Sequence, residues 1–198
     1  MGKIIAIIGA PGSGKSFLVH KLAEKLHALA FMEGEVPDFP PEIFTKLKEN
    51  ICDLEVFLWF RHKLIKEMVE AKKVAHLGKV ILLDTFWKCS ECYLDLIEDL
   101  EERKEASRLL EEDARIIPLP DKIILLKASE EKLREFMQQR GRSFENEETL
   151  QVNLFLQQEY ERIFTLDRFS NLIIIDRDNL DFEKEEDLME IIEIIHSS

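Results

Sequence analysis

Gly9-Ala10-Pro11-Gly12-Ser13-Gly14-Lys15-Ser16 satisfies the pattern G-x-x-x-x-G-K-[ST] at each fixed position. Its flanks give the pattern meaning. Lys3-Ile4-Ile5-Ala6-Ile7-Ile8 before it is short, apolar and β-branched, the composition of a strand buried on both faces of a parallel sheet. After it, Phe17, Leu18, Leu22, Leu26 and Leu29 recur at helical spacing, so the loop is predicted to open a helix. Strand, glycine-rich loop and helix N-terminus together make an anion cradle. The glycines let backbone N–H groups turn inward, and the helix end adds partial positive charge. Lys15 would reach β- and γ-phosphates and the Ser16 hydroxyl would bind Mg²⁺. A chance glycine turn does not need both flanks to be right. The segment therefore predicts binding of a nucleoside triphosphate, ATP, through Gly9, Ala10, Pro11, Gly12, Ser13, Gly14, Lys15 and Ser16.

The bulk of the chain narrows the setting. Its 198 residues suffice for one α/β domain over 1–198, with no stretch that reads as a linker. A net charge of −13 argues against an extended surface for nucleic acid or anionic membrane, both of which need excess cations. No apolar run approaches the ~20 residues of a membrane span. Gly9 arrives too soon after the N-terminus for a signal peptide, which predicts a cytoplasmic protein. The sparse, odd set of Cys52, Cys89 and Cys92 fits a reducing compartment. Cys89 and Cys92 have C-x-x-C spacing, open to zinc or redox chemistry, but no second pair or histidine cluster completes a site. Packing within a helix is the better reading of that pair.

Outward from the loop, the first helix runs into a short second strand near Ala28-Leu29-Ala30-Phe31-Met32. Glu33-Gly34-Glu35-Val36-Pro37 then leaves the C-terminal edge of the sheet, where open α/β sheets carry their ligand crevice. An acid there either faces substrate or belongs to a solvated loop. A short helix comes next over Glu42 to Glu49, and a long one over Asp53 to Leu77 whose apolar positions cover most of its surface. Such a face implies burial on two sides, against the sheet and against a partner subunit. Lys79-Val80-Ile81-Leu82-Leu83-Asp84 is the third strand. Its terminal carboxylate is a natural Mg²⁺ partner for Ser16, or else an N-cap for the next helix. Ser90 to Asp113 is predicted to be one charged helix with a solvated face. Lys122 to Lys127 and Asn171 to Asp176 complete five strands alternating with helices, hence a parallel sheet. Between the last two strands, Arg140 and Arg142 flank Gly141 between helices. That suits a helical lid, approximately 134–148, whose guanidinium groups close on the transferring phosphoryl group. A surface salt-bridge site is the plainer alternative.

These pieces together resemble the deoxynucleoside kinase family, phosphate-loop enzymes that phosphorylate a nucleoside 5′-hydroxyl. The resemblance rests on Gly9 to Ser16, an acid at the end of strand two, Asp84, the run Pro120-Asp121-Lys122-Ile123-Ile124-Leu125-Leu126 leading to Arg140-Gly141-Arg142 and Glu145, and the tail Ile175-Asp176-Arg177-Asp178-Asn179-Leu180-Asp181-Phe182. It implies a three-layer P-loop kinase fold and a helix-packed homodimer. Residue by residue, it implies Glu33 as the general base (Glu35 the alternative), Asp84 near Mg²⁺, Arg140 and Arg142 on the phosphates, Glu145 near the sugar 3′-hydroxyl, and Asp176 to Phe182, Asp181 and Phe182 among them, beside the donor adenine. Other positions depart from the pattern. Thr85 and Phe86 replace the Arg and Ser that come after the strand-three acid, Leu54 stands where the base-reading Gln is expected, and Phe136 replaces the first lid arginine. Either the acceptor is therefore expected to be unusual, or its pocket to be rebuilt around Glu55, Trp59 and Arg61.

Two rivals arise from the same residues. Asp84-Thr85-Phe86 with Tyr93 is loosely similar to the D-R-Y…Y stretch of thymidylate kinases, nucleoside monophosphate kinases, with Arg61 or Arg103 as cations for the acceptor phosphate. Thr85 and the absent Gln suit a catalytically impaired ATP-binding regulatory protein, a reading that the intact Lys15, Ser16, Glu33 and Asp84 oppose.

Overall fold

The computed structural model describes residues 2–32, 39–141 and 145–197. A five-stranded sheet in the order β2-β3-β1-β4-β5 is its middle layer. The strands are β1 (Ile4–Ile8), β2 (Leu29–Phe31), β3 (Ile81–Asp84), β4 (Lys122–Lys127) and β5 (Leu172–Asp176), each parallel to its neighbours. Because successive strand residues point to opposite faces, β1 splits its side chains between two cores. Ile4, Ala6 and Ile8 meet α3 (Leu54–His76), α4 (Leu100–Ile116) and α6 (Glu147–Ile163) through Leu64, Met68, Leu110 and Ile163. Ile5 and Ile7 meet α1 (Lys15–Leu26) and α7 (Glu185–Ser197) through Leu18, Leu22, Ile191 and Ile195. This is the expected three-layer α/β arrangement, and every residue of β1 is buried. Burying each such aliphatic side chain contributes roughly 1.5–3 kcal/mol.

Caps set where the helices begin. Asp53 accepts from Val56 N at the start of α3 (3.0 Å), and Ser129 from Lys132 N at the start of α5 (Glu130–Arg140; 3.2 Å). Asn146 and Thr149 form a capping box for α6. Short α2 (Pro41–Lys48) starts on proline, whose fixed φ suits a first helical position.

Two expectations are corrected. Leu29 is not on α1: that helix ends at Leu26, His27 turns the chain with φ 49°, and Leu29 opens β2 on the exposed sheet edge. Nor do 90–113 form one helix. Trp87–Leu96 is 3₁₀-helical, Ile97 is extended and forms an isolated bridge with Cys52, and α4 starts afresh where Asp99 accepts from Glu101 N and Glu102 N, both at 2.9 Å. The extended residue keeps Ile97 fully buried in the core under α3. That tertiary contact outweighs the local preference for continuing the helix.

Candidate functional site

The register sets the site. Ile7 lies beside Asp84 on one side and Ile124 on the other, so the loop after β1 emerges between the ends of β3 and β4. Gly9 has φ 143°, and a Cβ there would stand 2.6 Å from the Leu126 carbonyl oxygen, so no other residue fits. Gly14, with φ 91°, is the N-cap of α1. The helix N-terminus thus opens directly from the loop, leaving its first backbone N–H groups for an anion. Lys15 is buried, and its ammonium donates to the carbonyls of Gly9 (3.0 Å) and Ala10 (3.1 Å).

Ser16 Oγ donates to Asp84 Oδ2 at 2.5 Å. Asp84 has no exposed surface, and its Oδ1 has no hydrogen-bond partner among the described residues. It does not cap the 3₁₀ segment after β3, which starts from Phe86 without a side-chain cap. A buried carboxyl with a spare oxygen beside a hydroxyl fits Mg²⁺, which takes one or two protein oxygens and its remaining ligands from phosphate and water. The described residues hold no group of three or more His, Cys, Asp or Glu able to bind a metal, in keeping with so sparse a donor set.

Cations gather over the loop. Arg140, on the last turn of α5, reaches Gly12: a Cβ there would lie 3.8 Å from its Nη2. Arg140 also pairs with Glu145, Nε to Oε2 at 3.3 Å, so the acid expected at a sugar hydroxyl sits beside an arginine expected on the phosphates. Leu133, Met137 and Leu150 form a small core of their own under this part of the chain. From the opposite end of the sequence comes Arg177, within the tail expected beside the donor adenine. It is buried, and that burial holds its guanidinium below the usual arginine range. Phe182 is also buried, against Arg177, and Asp181 Oδ1 accepts from Glu183 N at 3.1 Å. Glu33, Glu35 and Arg142 lie outside the described residues. Lys63 Nζ donates to the carbonyl of Met32, at 3.1 Å, pinning the chain just before Glu33.

The phosphate loop, α5 and the segment after β5 line one cavity of about 1030 Å³ that continues between α3, α6 and the 3₁₀ segment. Val56, Phe57, Phe60 and Leu64 give α3's share of the lining. Glu55 and Trp59, expected there, are not part of it. Glu55 points outward, 63% exposed, and pairs with Lys46 at 2.5 Å; Trp59 packs edge-on against Phe60 with centroids 4.8 Å apart. Arg61 is held by Asp113 through two hydrogen bonds of 2.6 Å, and Arg103 is spent on the Ile97 carbonyl and on Asp95. The polar groups the cavity does offer are ones that sequence reasoning missed. Ser90 Oγ is buried without a partner among the described residues, and Asn153 Nδ2 meets only the Met137 sulfur, at 3.5 Å. Burial pushes the Cys89 thiol up to about 11 and raises Cys92 further, so the pair is packing, not a thiolate site.

A parallel sheet whose central strand feeds a glycine-rich loop into a helix, with cations over that loop, defines a P-loop α/β protein. The chain belongs to the AAA domain family, whose model matches residues 4–163. Among solved structures it is similar to deoxyadenosine kinase from M. mycoides, 22% identical with a TM-score of 0.73, over 98% of this chain and 100% of that one. It is also similar to thymidylate kinase from Candida albicans, 18% identical with a TM-score of 0.67, over 99% of this chain and 92% of that one. At these identities the likeness is one of fold, the three-layer P-loop kinase fold. Comparison with curated proteins gives no match. Among the described residues no helix is long and apolar enough to cross a membrane.

Proposed function

We propose that the chain transfers the γ-phosphoryl group of ATP to the 5′-hydroxyl of a (deoxy)nucleoside. The observation that carries this reading is the division of one cavity by charge. Its described cations are Lys15, Lys132, Arg140, Arg177 and Lys184, all on the phosphate loop, α5 and the segment between β5 and α7. The other half, walled by Phe44, Phe57, Leu64, Tyr93 and Tyr160, has no lysine or arginine among its described residues. Aromatic walls suit a flat uncharged ring, and Ser90 and Asn153 supply hydrogen bonds at its edge. A monophosphate acceptor would need cations of its own there, and Arg61 and Arg103 are engaged elsewhere. The similar fold of M. mycoides deoxyadenosine kinase, solved with dCMP and with dATP, supports the nucleoside class.

In this reading the loop's N–H groups, Lys15 and Arg140 stabilise charge spreading over the transferred oxygens, and Arg142 joins them. Ser16 and Asp84 would hold Mg²⁺, which when bound neutralises phosphate charge as a Lewis acid. Glu33, or Glu35, takes the hydroxyl proton as that oxygen bonds to the γ-phosphorus and the bond to the bridging β–γ oxygen breaks, releasing ADP. Glu145 reaches toward the sugar 3′-hydroxyl from beside Arg140, and Asp181 and Phe182 border the donor base. The exposed Leu58 and Val69 of α3 fit a helix-packed homodimer in the cytoplasm. A panel of nucleosides and nucleoside monophosphates with γ-labelled ATP tests the assignment. Label transfer to a nucleoside is expected; transfer only to monophosphates overturns it, as does transfer to neither.

A further inference from the structure

Arg177 is 5% exposed, and among the described residues its Nε and Nη1 have no hydrogen-bond partner. Its central carbon lies 3.8 Å from the ring centroid of Phe182 and 4.7 Å from that of Phe136. Glu135, Asp178, Asp181 and Asp187 act on it through space, yet none of them forms an ion pair with it. A buried cation without a partner costs stability, and ring faces recover only part of that cost. The position of the group points to what completes it. Arg177 lines the same cavity as Lys15 and Ser16. It packs on the phosphate loop itself: a Cβ on Gly14 would lie 3.4 Å from Nε. Gly14 is the cap of α1, the place where the helix offers unpaired N–H groups to an anion.

We propose that Arg177 is a phosphate-binding residue, its guanidinium donating to the phosphate chain of the nucleoside triphosphate at the Gly14 end of the loop, as Arg140 covers the Gly12 end. The inference rests on the assignment of Gly9 to Ser16 as a phosphate loop. An arginine fork suits this role because it presents several donors in one plane to phosphate oxygens and stays charged when desolvated. The rings of Phe136 and Phe182 hold the fork in place before the anion arrives, so little ordering is left for the binding step.

Calorimetry with Mg·ATP and with inorganic tripolyphosphate on wild type, Arg177→Met, Arg177→Lys and Lys15→Ala tests this, alongside thermal unfolding without nucleotide. Arg177→Met is expected to bind both probes roughly 10- to 100-fold more weakly, the range for hydrogen bonds to a charged group. Without nucleotide it is expected to unfold no earlier than wild type, because an unpartnered buried charge has gone. Arg177→Lys should recover only part of the affinity, and it carries the test alone if the Met variant does not fold. Binding of ATP by Arg177→Met within twofold of wild type overturns the proposal, as does a loss seen with ATP but not tripolyphosphate, which would put Arg177 on the base. Early unfolding with unchanged affinity would make it a structural stack. If Lys15→Ala binds as wild type, the phosphate-loop reading itself fails; if it alone loses binding, only the Arg177 assignment does.

Discussion

At the scale of single residues, chemistry and burial argue for different substitutions at the two ends of the cavity. Lys15 satisfies two loop carbonyls with an ammonium that a phosphate would otherwise claim. Lys15→Ala is expected to lower transfer at least ~10²-fold, as for the loss of one preorganised charge at a reacting centre. Circular dichroism should remain that of wild type; substantial residual turnover would discredit the cradle role. Glu33→Gln is expected to lower kcat by ~10²- to 10⁴-fold with ATP affinity little changed, and the same effect from Glu35→Gln instead would move the base by two residues. On α6, within the same cavity, Asn153→Leu keeps the volume of the wall and removes its hydrogen-bonding groups. It should raise KM for the nucleoside while leaving KM for ATP unmoved, and an equal rise in both would make Asn153 a packing residue. The loop was legible in the sequence because its meaning is local: strand composition, glycines and helix spacing lie within one short stretch. Arg177 and Asn153 were not, because each owes its role to neighbours brought together only by folding. Arg177, just past β5, touches Phe136 on α5, and Asn153 on α6 meets Met137 on α5.

At the scale of elements, the sequence specified strands better than helix phase. β1, β3 and β4 are buried on both faces because their runs are apolar apart from the end residues Asp84, Lys122 and Lys127, and such runs read as strands whichever face is considered. On α3 the apolar positions wrap most of the surface, so nothing in the sequence alone says which of them turns toward ligand. Packing turns Val56, Phe57 and Phe60 inward and leaves Glu55 and Trp59 outside. The break before α4 was likewise invisible, since it depends on Ile97 being drawn beneath α3. Asp99 then matters as a cap: Asp99→Ala should destabilise the protein by about 1 kcal/mol through two lost backbone contacts, with no change in KM for either substrate. Denaturant titration checks it, and an unchanged midpoint would mean that tertiary contacts alone position α4. In α5, Phe136 occupies the place where the family resemblance sets an arginine, and its ring lies against Arg177. Arg140→Ala combined with Arg142→Ala should therefore impair transfer far more than stability. An equal rate in the double variant would remove the lid from the mechanism.

At the scale of the molecule, the decisive property is how charge is distributed, not how much there is. The net charge of −13 says only that the surface is acidic, yet the described cations of the cavity collect around one helix N-terminus, leaving the aromatic half to uncharged matter. Two phosphate-bearing substrates would need two cationic centres; the described residues of this cavity supply one. The expected consequence is a preference set by the cost of placing an unpaired phosphate among apolar walls. An uncompensated buried charge costs about 3–5 kcal/mol, or roughly 10²- to 10⁴-fold in kcat/KM, in favour of a nucleoside over its own monophosphate. The preference should narrow when a cation is built into the aromatic half. Tyr93→Arg, on the 3₁₀ segment that lines that half, is expected to lower kcat/KM for the nucleoside and raise it for the monophosphate. Competition assays with both acceptors present measure the ratio directly. A wild-type ratio near unity would mean that the cavity's charge division does not select the acceptor, and the nucleoside assignment would lose its main support.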